Sequence, residues 1–188
     1  MENPKIWFTS DTHFGHKNII KFSERPFVDV DEMNETMIQR WNEVVGENDI
    51  VYHLGDFAFL TAGKLRQIIS RLNGKICLIK GNHDESVSSC SECFEWIKDY
   101  YELIVDDEEA YRCKRLIVLL HYPLREWNGS HHGTWHLYGH VHGETEDDEK
   151  SLSFDVGVDC HNFYPLSYQD VKDIMSKKKW APPFNSDR

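Results

Sequence analysis

The sequence has no apolar run long enough to cross a membrane, and its start, Met1-Glu2-Asn3-Pro4-Lys5, shows no pattern of basic then apolar residues. A cytoplasmic location is the expectation. Positive charge is scarce: 21 lysines and arginines stand against 32 aspartates and glutamates, for a formal net charge of −11. That balance speaks against broad binding to nucleic acid or to a membrane surface, both of which rely on basic patches. It leaves room for a small phosphorylated substrate, because bound cations can reverse a local field. The five cysteines form no disulfide-like framework, so reduced thiols are expected. Cys90-x-x-Cys93 has no second pair at zinc spacing and reads as structural. Repeats, low-complexity tracts and linkers are also missing. The 188 residues therefore read as one domain over 1–178 with a loosely held tail over 179–188, and the run Lys177-Lys178-Lys179 where the two meet reads as solvated.

What the sequence does hold is a series of apolar, strand-like runs, each followed by polar side chains able to bind metal or move protons. Residues 5–10 form a first predicted strand, ending in Asp11-Thr12-His13 with Gly15-His16 close behind. After a connecting region holding Phe22, Arg25, Pro26 and Phe27, a helix is predicted from Asp31. Met33, Met37, Ile38, Trp41, Val44 and Val45 fall at helical spacing, and Gly46 sits where that helix would stop. Residues 49–54 make a second strand ending in Gly55-Asp56. Leu65, Ile68, Ile69 and Leu72 mark a second helix, stopped by Asn73-Gly74. Residues 75–80 are a third strand, ending in Gly81-Asn82-His83-Asp84, where the glycine would let the backbone turn sharply. This alternation is that of a parallel α/β sheet, whose sites lie outside the carboxyl ends of the strands.

The second half has another texture. A short helix over 94–98 is predicted, then a hairpin of 101–106 with 110–114 around Asp107-Glu108. A buried strand over 115–120 ends in His121-Tyr122-Pro123. A polar loop over 126–134 precedes Trp135-His136-Leu137-Tyr138, which leads into Gly139-His140-Val141-His142-Gly143. An acidic loop over 144–149, a last strand over 154–158 and a helix over 167–175, capped by Ser167 with Val171, Ile174 and Met175 on one face, complete the chain.

The strand-end groups are Asp11, His13, Asp56, Asn82, His121, His140 and His142. Asp11 and His13 are two apart, as are His140 and His142, so in an extended segment each pair points the same way. Seven ligands exceed one ordinary ion and suit two ions about 3.5–4 Å apart sharing a carboxylate. Nitrogen and oxygen donors without thiolate favour manganese first, with iron, zinc, cobalt and nickel admitted. His83 can move a proton near neutral pH, and Asp84 can hold that imidazole. His16, Arg25 and His131 are candidate substrate contacts; arginine suits phosphate through its fork of donors. His132 shares the loop of His131. His53 reads as a packed strand residue, and His161, after Asp159-Cys160, has no assignment.

Asp11-x-His13, Gly55-Asp56, Gly81-Asn82-His83-Asp84, His121 and Gly139-His140-Val141-His142 resemble, in order, the signature blocks of the calcineurin-like metallophosphoesterases. Within that family the chain looks closest to small bacterial and phage-type phosphoesterases. The resemblance implies an α/β, four-layer αββα sandwich of two mixed β-sheets flanked by helices. It implies one divalent metal on Asp11, His13, Asp56 and His142, and a second on Asp56, Asn82, His121 and His140, with Asp56 bridging. His83 would sit beside the phosphate as general acid, oriented by Asp84. The implied reaction is in-line attack of a metal-bridging water or hydroxide on a small phosphate ester, with diesters slightly preferred. A phosphomonoesterase, a protein phosphatase or a non-catalytic scaffold of the same fold are the alternatives. After Gly55-Asp56 the chain reads Phe57-Ala58-Phe59-Leu60, where the protein Ser/Thr phosphatases and diadenosine tetraphosphatases carry an aspartate-arginine-glycine block. That departure argues against both activities.

Overall fold

The computed structural model describes residues 3–182; the last part of the predicted tail, 183–188, lies outside the described residues. Strands β1 (Ile6–Thr9), β2 (Ile50–His53) and β3 (Lys75–Ile79) fall within the predicted runs and pair in parallel, Trp7 beside Val51 and Val51 beside Ile76. Their period-two alternation sorts side chains into two cores. Trp7, Val51, Ile76 and Leu78 point to one face, against Met33, Met37, Ile38 and Trp41 of a helix. Phe8, Tyr52, Cys77 and Ile79 point to the other, against Leu103, Val105, Ile117, Leu119 and Leu137 of a second sheet. Burying each large side chain contributes about 1.5–3 kcal/mol, so a one-residue slip in any of these strands would exchange the cores.

Helix α1 (Ile19–Phe22) is one turn inside the predicted connecting region. Helix α2 (Val30–Val44) starts a residue before the predicted point because Asp29 caps it, accepting the N–H groups of Asp31 and Glu32. Helix α3 (Ala62–Ile69) buries Leu65 on the same face of the sheet. Helix α4 (Tyr168–Ser176) carries Val171 and Met175 into the second core and opens with a Ser167/Asp170 capping box. Among the described residues no helix is long and apolar enough to cross a membrane.

The remaining strands correct two predictions. Residues 84–93 form 3-10 turns, and the segment predicted as a helix over 94–98 is strand β4 (Trp96–Lys98), parallel to β3. Trp96 and Ile97, aromatic and β-branched, favour the half-buried sheet edge over a helix. Of the predicted strand over 110–114, residues 110–113 are a turn and Lys114 opens the next strand: β5 (Tyr101–Asp106) pairs antiparallel with β6 (Lys114–Leu119). The turn is built around the buried Asp107 carboxylate, which accepts from Glu109 N–H, Tyr168 Oη and Lys172 Nζ. Strands β7 (Trp135–Tyr138) and β8 (Ser153–Asp155) add in parallel to β6, and β9 (Leu166–Ser167) adds antiparallel to β1. The two mixed sheets have the orders β4-β3-β2-β1-β9 and β5-β6-β7-β8. The predicted tail is tied down at its start. The Lys178 side chain is buried against Asp147 and the Ser153 carbonyl, Lys179 N–H donates to the Glu149 carbonyl, and Trp180 packs on the second core.

Candidate metal centre

Every candidate ligand follows the carboxyl end of a strand: Asp11 and His13 after β1, Asp56 after β2, Asn82 after β3, His121 after β6, and His140 and His142 after β7. The two sheets end together, so residues far apart in sequence converge. The pairs do not share a direction through β alternation. Asp11, His13, Asp56, His140 and His142 all adopt the left-handed region, at φ +56°, +50°, +55°, +73° and +49°. Such backbone costs about 1–3 kcal/mol per non-glycine residue and persists only where the surroundings impose it. Here Asp11 N–H donates to the Gly55 carbonyl, His13 N–H to the Asp56 carbonyl, and His140 N–H to Asp11 Oδ2, at 2.9, 3.0 and 2.9 Å.

Asp56 lies between two imidazoles. Its Oδ2 is 3.5 Å from His13 Nε2 and its Oδ1 is 3.7 Å from His121 Nε2. Asp11 Oδ1 is 3.9 Å from His13 Nε2 and 3.8 Å from His142 Nε2. His121 Nε2 is 3.1 Å from Asn82 Oδ1, and the rings of His121 and His140 are 5.1 Å apart. Donor atoms each about 2 Å from one ion stand roughly 3 Å or more from one another, so these spacings suit shared cations. Among the described residues two clusters of potential ligand atoms form, Asp11–His13–His142 and Asp11–Asp56–His121. Asn82 and His140 are exposed beside the second.

The electrostatics test the fit. Asp11 and His13 are almost wholly buried, yet Asp11 Oδ1 and both His13 ring nitrogens have no hydrogen-bond partner. Buried polar atoms without partners cost about 1–3 kcal/mol each, and three in one cluster are a donor set that fits a cation. Burial raises the Asp11 carboxyl pKa to about 7. Burial, with Arg25 and the neighbouring histidines, pushes the His13 imidazole strongly down, so it is neutral and free to ligate. His121 is lowered chiefly by burial. At His142 burial lowers the pKa, but the Asp159 hydrogen bond and the charge of Asp11 outweigh it and the net shift is upward. A cation here would supply the charge these groups lack. The donor set fits divalent metal.

Asp159 is a residue the sequence reading left without a role. Its Oδ2 accepts from His142 Nδ1 at 2.7 Å, fixing the tautomer that leaves Nε2 facing the site. The same carboxylate takes a bidentate pair from Arg25, at 2.8 and 2.9 Å. Arg25 is therefore not a phosphate contact. Its guanidinium is fully buried and also donates to the carbonyls of Asp11 and Thr12, bracing the β1 loop from beneath. Only spatial proximity reveals this pairing across 134 residues.

Asp84 is likewise corrected. Its carboxylate makes no bond to His83. It accepts from the N–H groups of Asp56, Phe57 and Gly81, each at 2.8 Å, and so clamps the β2 and β3 loops together. Gly81 is needed for closeness rather than for a turn: a Cβ there would lie 2.2 Å from Asp56 Oδ1. His83 is exposed at the mouth of the site, its N–H donating to Asp56 Oδ1 at 2.9 Å and its ring 5.9 Å from that of His13. His16 borders the same mouth, stacked on Phe59 with ring centroids 4.0 Å apart; burial and the nearness of His83 lower its pKa.

His131 lines a separate cavity of about 550 Å³ with Arg125, Trp127 and Trp180, and none of the candidate ligands borders it. His132 shares its short turn. His53 is buried and bonded to Thr12 Oγ1, as a packed strand residue should be. His161 Nε2 lies 2.8 Å from the Asp155 carbonyl, and Asp155 holds Gly143 N–H in the His142 loop. Tyr122, a further unanticipated neighbour, packs edge-on against His121 and His140.

Carboxylate, imidazole and amide donors gathered where two mixed sheets end together define a metal-binding α/β sandwich of the phosphoesterase type. The chain belongs to the calcineurin-like phosphoesterase superfamily, whose domain matches residues 5–158. The superfamily is one of metal-dependent phosphoesterases, so phosphoester hydrolysis is the class of chemistry it indicates. An uncharacterized protein of Methanocaldococcus jannaschii, MJ1445, is 36% identical over 98% of this chain and 99% of its own length. The Gene 66 proteins of Mycobacterium phages L5 and D29 are 41% identical over 42% of this chain (39% of their own length) and 26% identical over 91% (96%), respectively. These support a small phage- or bacterial-type member. The crystal structure of AQ665 from Aquifex aeolicus, a protein of unknown function, superposes with a TM-score of 0.72 at 25% identity, covering 92% of this chain and all of that one.

Proposed function

We propose that the chain is a binuclear metal-dependent hydrolase of small phosphate esters, with diesters preferred over monoesters. The observation that carries this reading is Asp56 set between His13 and His121, beside the unpartnered buried atoms of Asp11 and His13. Asp11, His13, Asp56 and His142 would hold one divalent ion; Asp56, Asn82, His121 and His140 would hold the other. Two such ions, manganese being the first choice, would supply Lewis acidity to the phosphoryl oxygens and lower the pKa of an attacking water.

The protein's own part is positional. Asp159 keeps the proton on His142 Nδ1, so that Nε2 presents a lone pair. Asp84 and Arg25 hold the ligand loops in their left-handed backbone. His83, exposed at the mouth, is placed to give a ring N–H proton to the departing oxygen. The preference for diesters follows from charge. Arg25, which braces the Asp11 loop, faces inward and is tied to Asp159, so it offers the substrate no cationic contact. A monoanionic diester needs less compensation than a dianionic monoester. The five free cysteines support a cytoplasmic setting.

The test is metal-stripped protein reloaded with manganese and assayed on bis(4-nitrophenyl) phosphate and 4-nitrophenyl phosphate. His83→Ala should keep both ions and lose roughly 100- to 10,000-fold in kcat. Absence of turnover with every transition metal would favour the scaffold alternative; full activity of the variant would remove His83 from the chemistry.

A further inference from the structure

We propose that a second cavity, opening beside His83, is a leaving-group subsite that receives the uncharged nucleobase of a nucleoside ester. It rests on the hydrolase reading above, since His83 marks the side from which the alcohol departs. The cavity has a volume of about 680 Å³, within the usual range for small-ligand pockets, and His83 and Asn82 are among its lining residues.

Its chemistry selects the occupant. Phe59 is 40% exposed, so part of its ring is accessible to a ligand. One side of that ring is backed by His16 at 4.0 Å and it lies 4.8 Å from His83, so it forms a supported platform next to the proposed acid. Aromatic platforms of this kind stack planar bases whatever their sequence. Ala58 and Leu60 extend the apolar wall. Among the described residues no lysine or arginine lines the cavity, while Glu85 does, so a leaving group carrying further phosphates would be repelled. A carboxylate accepts hydrogen bonds only, which suits the N–H groups on a base edge. Ser86 also lines the cavity, and its Oγ is buried without a partner.

The experiment titrates guanosine, with ribose as control, into manganese-loaded protein by calorimetry and measures inhibition of bis(4-nitrophenyl) phosphate hydrolysis. Guanosine should bind and inhibit competitively, and ribose should do neither. Phe59→Leu, which keeps apolar bulk and removes the ring face, should weaken guanosine roughly tenfold. Its metal content and its inhibition by inorganic phosphate should stay as in the parent. The proposal is overturned if guanosine binds no better than ribose, or if Phe59→Leu weakens phosphate as much as guanosine. Binding is read without turnover, so the two readings fail separately. Ester hydrolysis without guanosine binding sinks the subsite alone, whereas Phe59-dependent guanosine binding without hydrolysis of any ester sinks the hydrolase reading.

Discussion

Asp84→Asn separates two accounts of one carboxylate. If Asp84 clamps loops, the substitution should cost both stability and metal. Oδ2 takes N–H bonds from Asp56 and Gly81 and Oδ1 takes one from Phe57. An asparagine can place its oxygen toward the first two, but its NH₂ then faces the Phe57 N–H. That donor-to-donor meeting leaves buried groups unsatisfied, at about 1–3 kcal/mol. The two surviving bonds fall from charge-assisted to neutral, at about 1 kcal/mol each. Burial raises the Asp84 pKa against the pull of its three donors, so removing the charge recovers part of the loss. A net cost of about 3 kcal/mol corresponds to a Tm about 6–12 °C lower for a chain of this size. Asp56 loosens with the clamp, and metal affinity should fall about 10- to 100-fold, as for other supporting residues of metal sites. Differential scanning calorimetry and metal analysis after dialysis against a buffered manganese series would measure both. A variant with parental Tm and full metal but little turnover would refute the clamp and restore the idea that Asp84 orients His83.

Other substitutions probe the same framework. Asp159→Ala strands the fully buried Arg25 guanidinium and frees His142 Nδ1; a loss of about 3–5 kcal/mol in urea unfolding is expected, with loss of metal, and an unchanged midpoint would contradict it. Gly81→Ala puts a methyl 2.2 Å from Asp56 Oδ1, so metal stoichiometry should drop while stability falls by about 1–3 kcal/mol; full metal loading would show that the loop yields freely. Acid should destabilise the fold through buried neutral histidines. Burial lowers His136 to about 4 and His53 to about 3, whereas the unfolded chain takes up those protons near the ordinary value of 6.5. Stability therefore falls as pH drops below 6.5, by about 1.4 kcal/mol per pH unit for each histidine until its folded value is reached. His136→Gln should reduce that slope by one histidine's share between pH 6.5 and 4, read from urea midpoints; an unaltered slope would show that His136 is not held neutral.

Much of this was legible beforehand where the signal is local. The parallel strands β1 to β3 and the helices after the first two declare themselves through apolar periodicity, and each strand's end is marked by a change to ligand-type residues. The errors occur where a local pattern is outvoted by tertiary pairing. Residues 96–98 become strand because β3 offers an open edge. Residues 110–113 become a turn because Asp107 gathers partners from 61 and 65 residues away. The tail is partly fixed because Lys178 and Trp180 find Asp147, Ser153 and the second core.

The same division runs through the site. Which side chains can bind metal is a property of residue type and of position after a strand, so the order of the residues alone determined the ligand candidates and the family they resemble. How those side chains face one another was decided in three dimensions. Left-handed backbone at Asp11, His13, Asp56 and His140 is held by hydrogen bonds from other loops. The partners of Arg25, Asp84 and His142 come from segments brought together by sheet pairing rather than by neighbouring sequence. A short motif encodes chemistry within a few residues, but orientation and burial are sums over contacts from the whole chain.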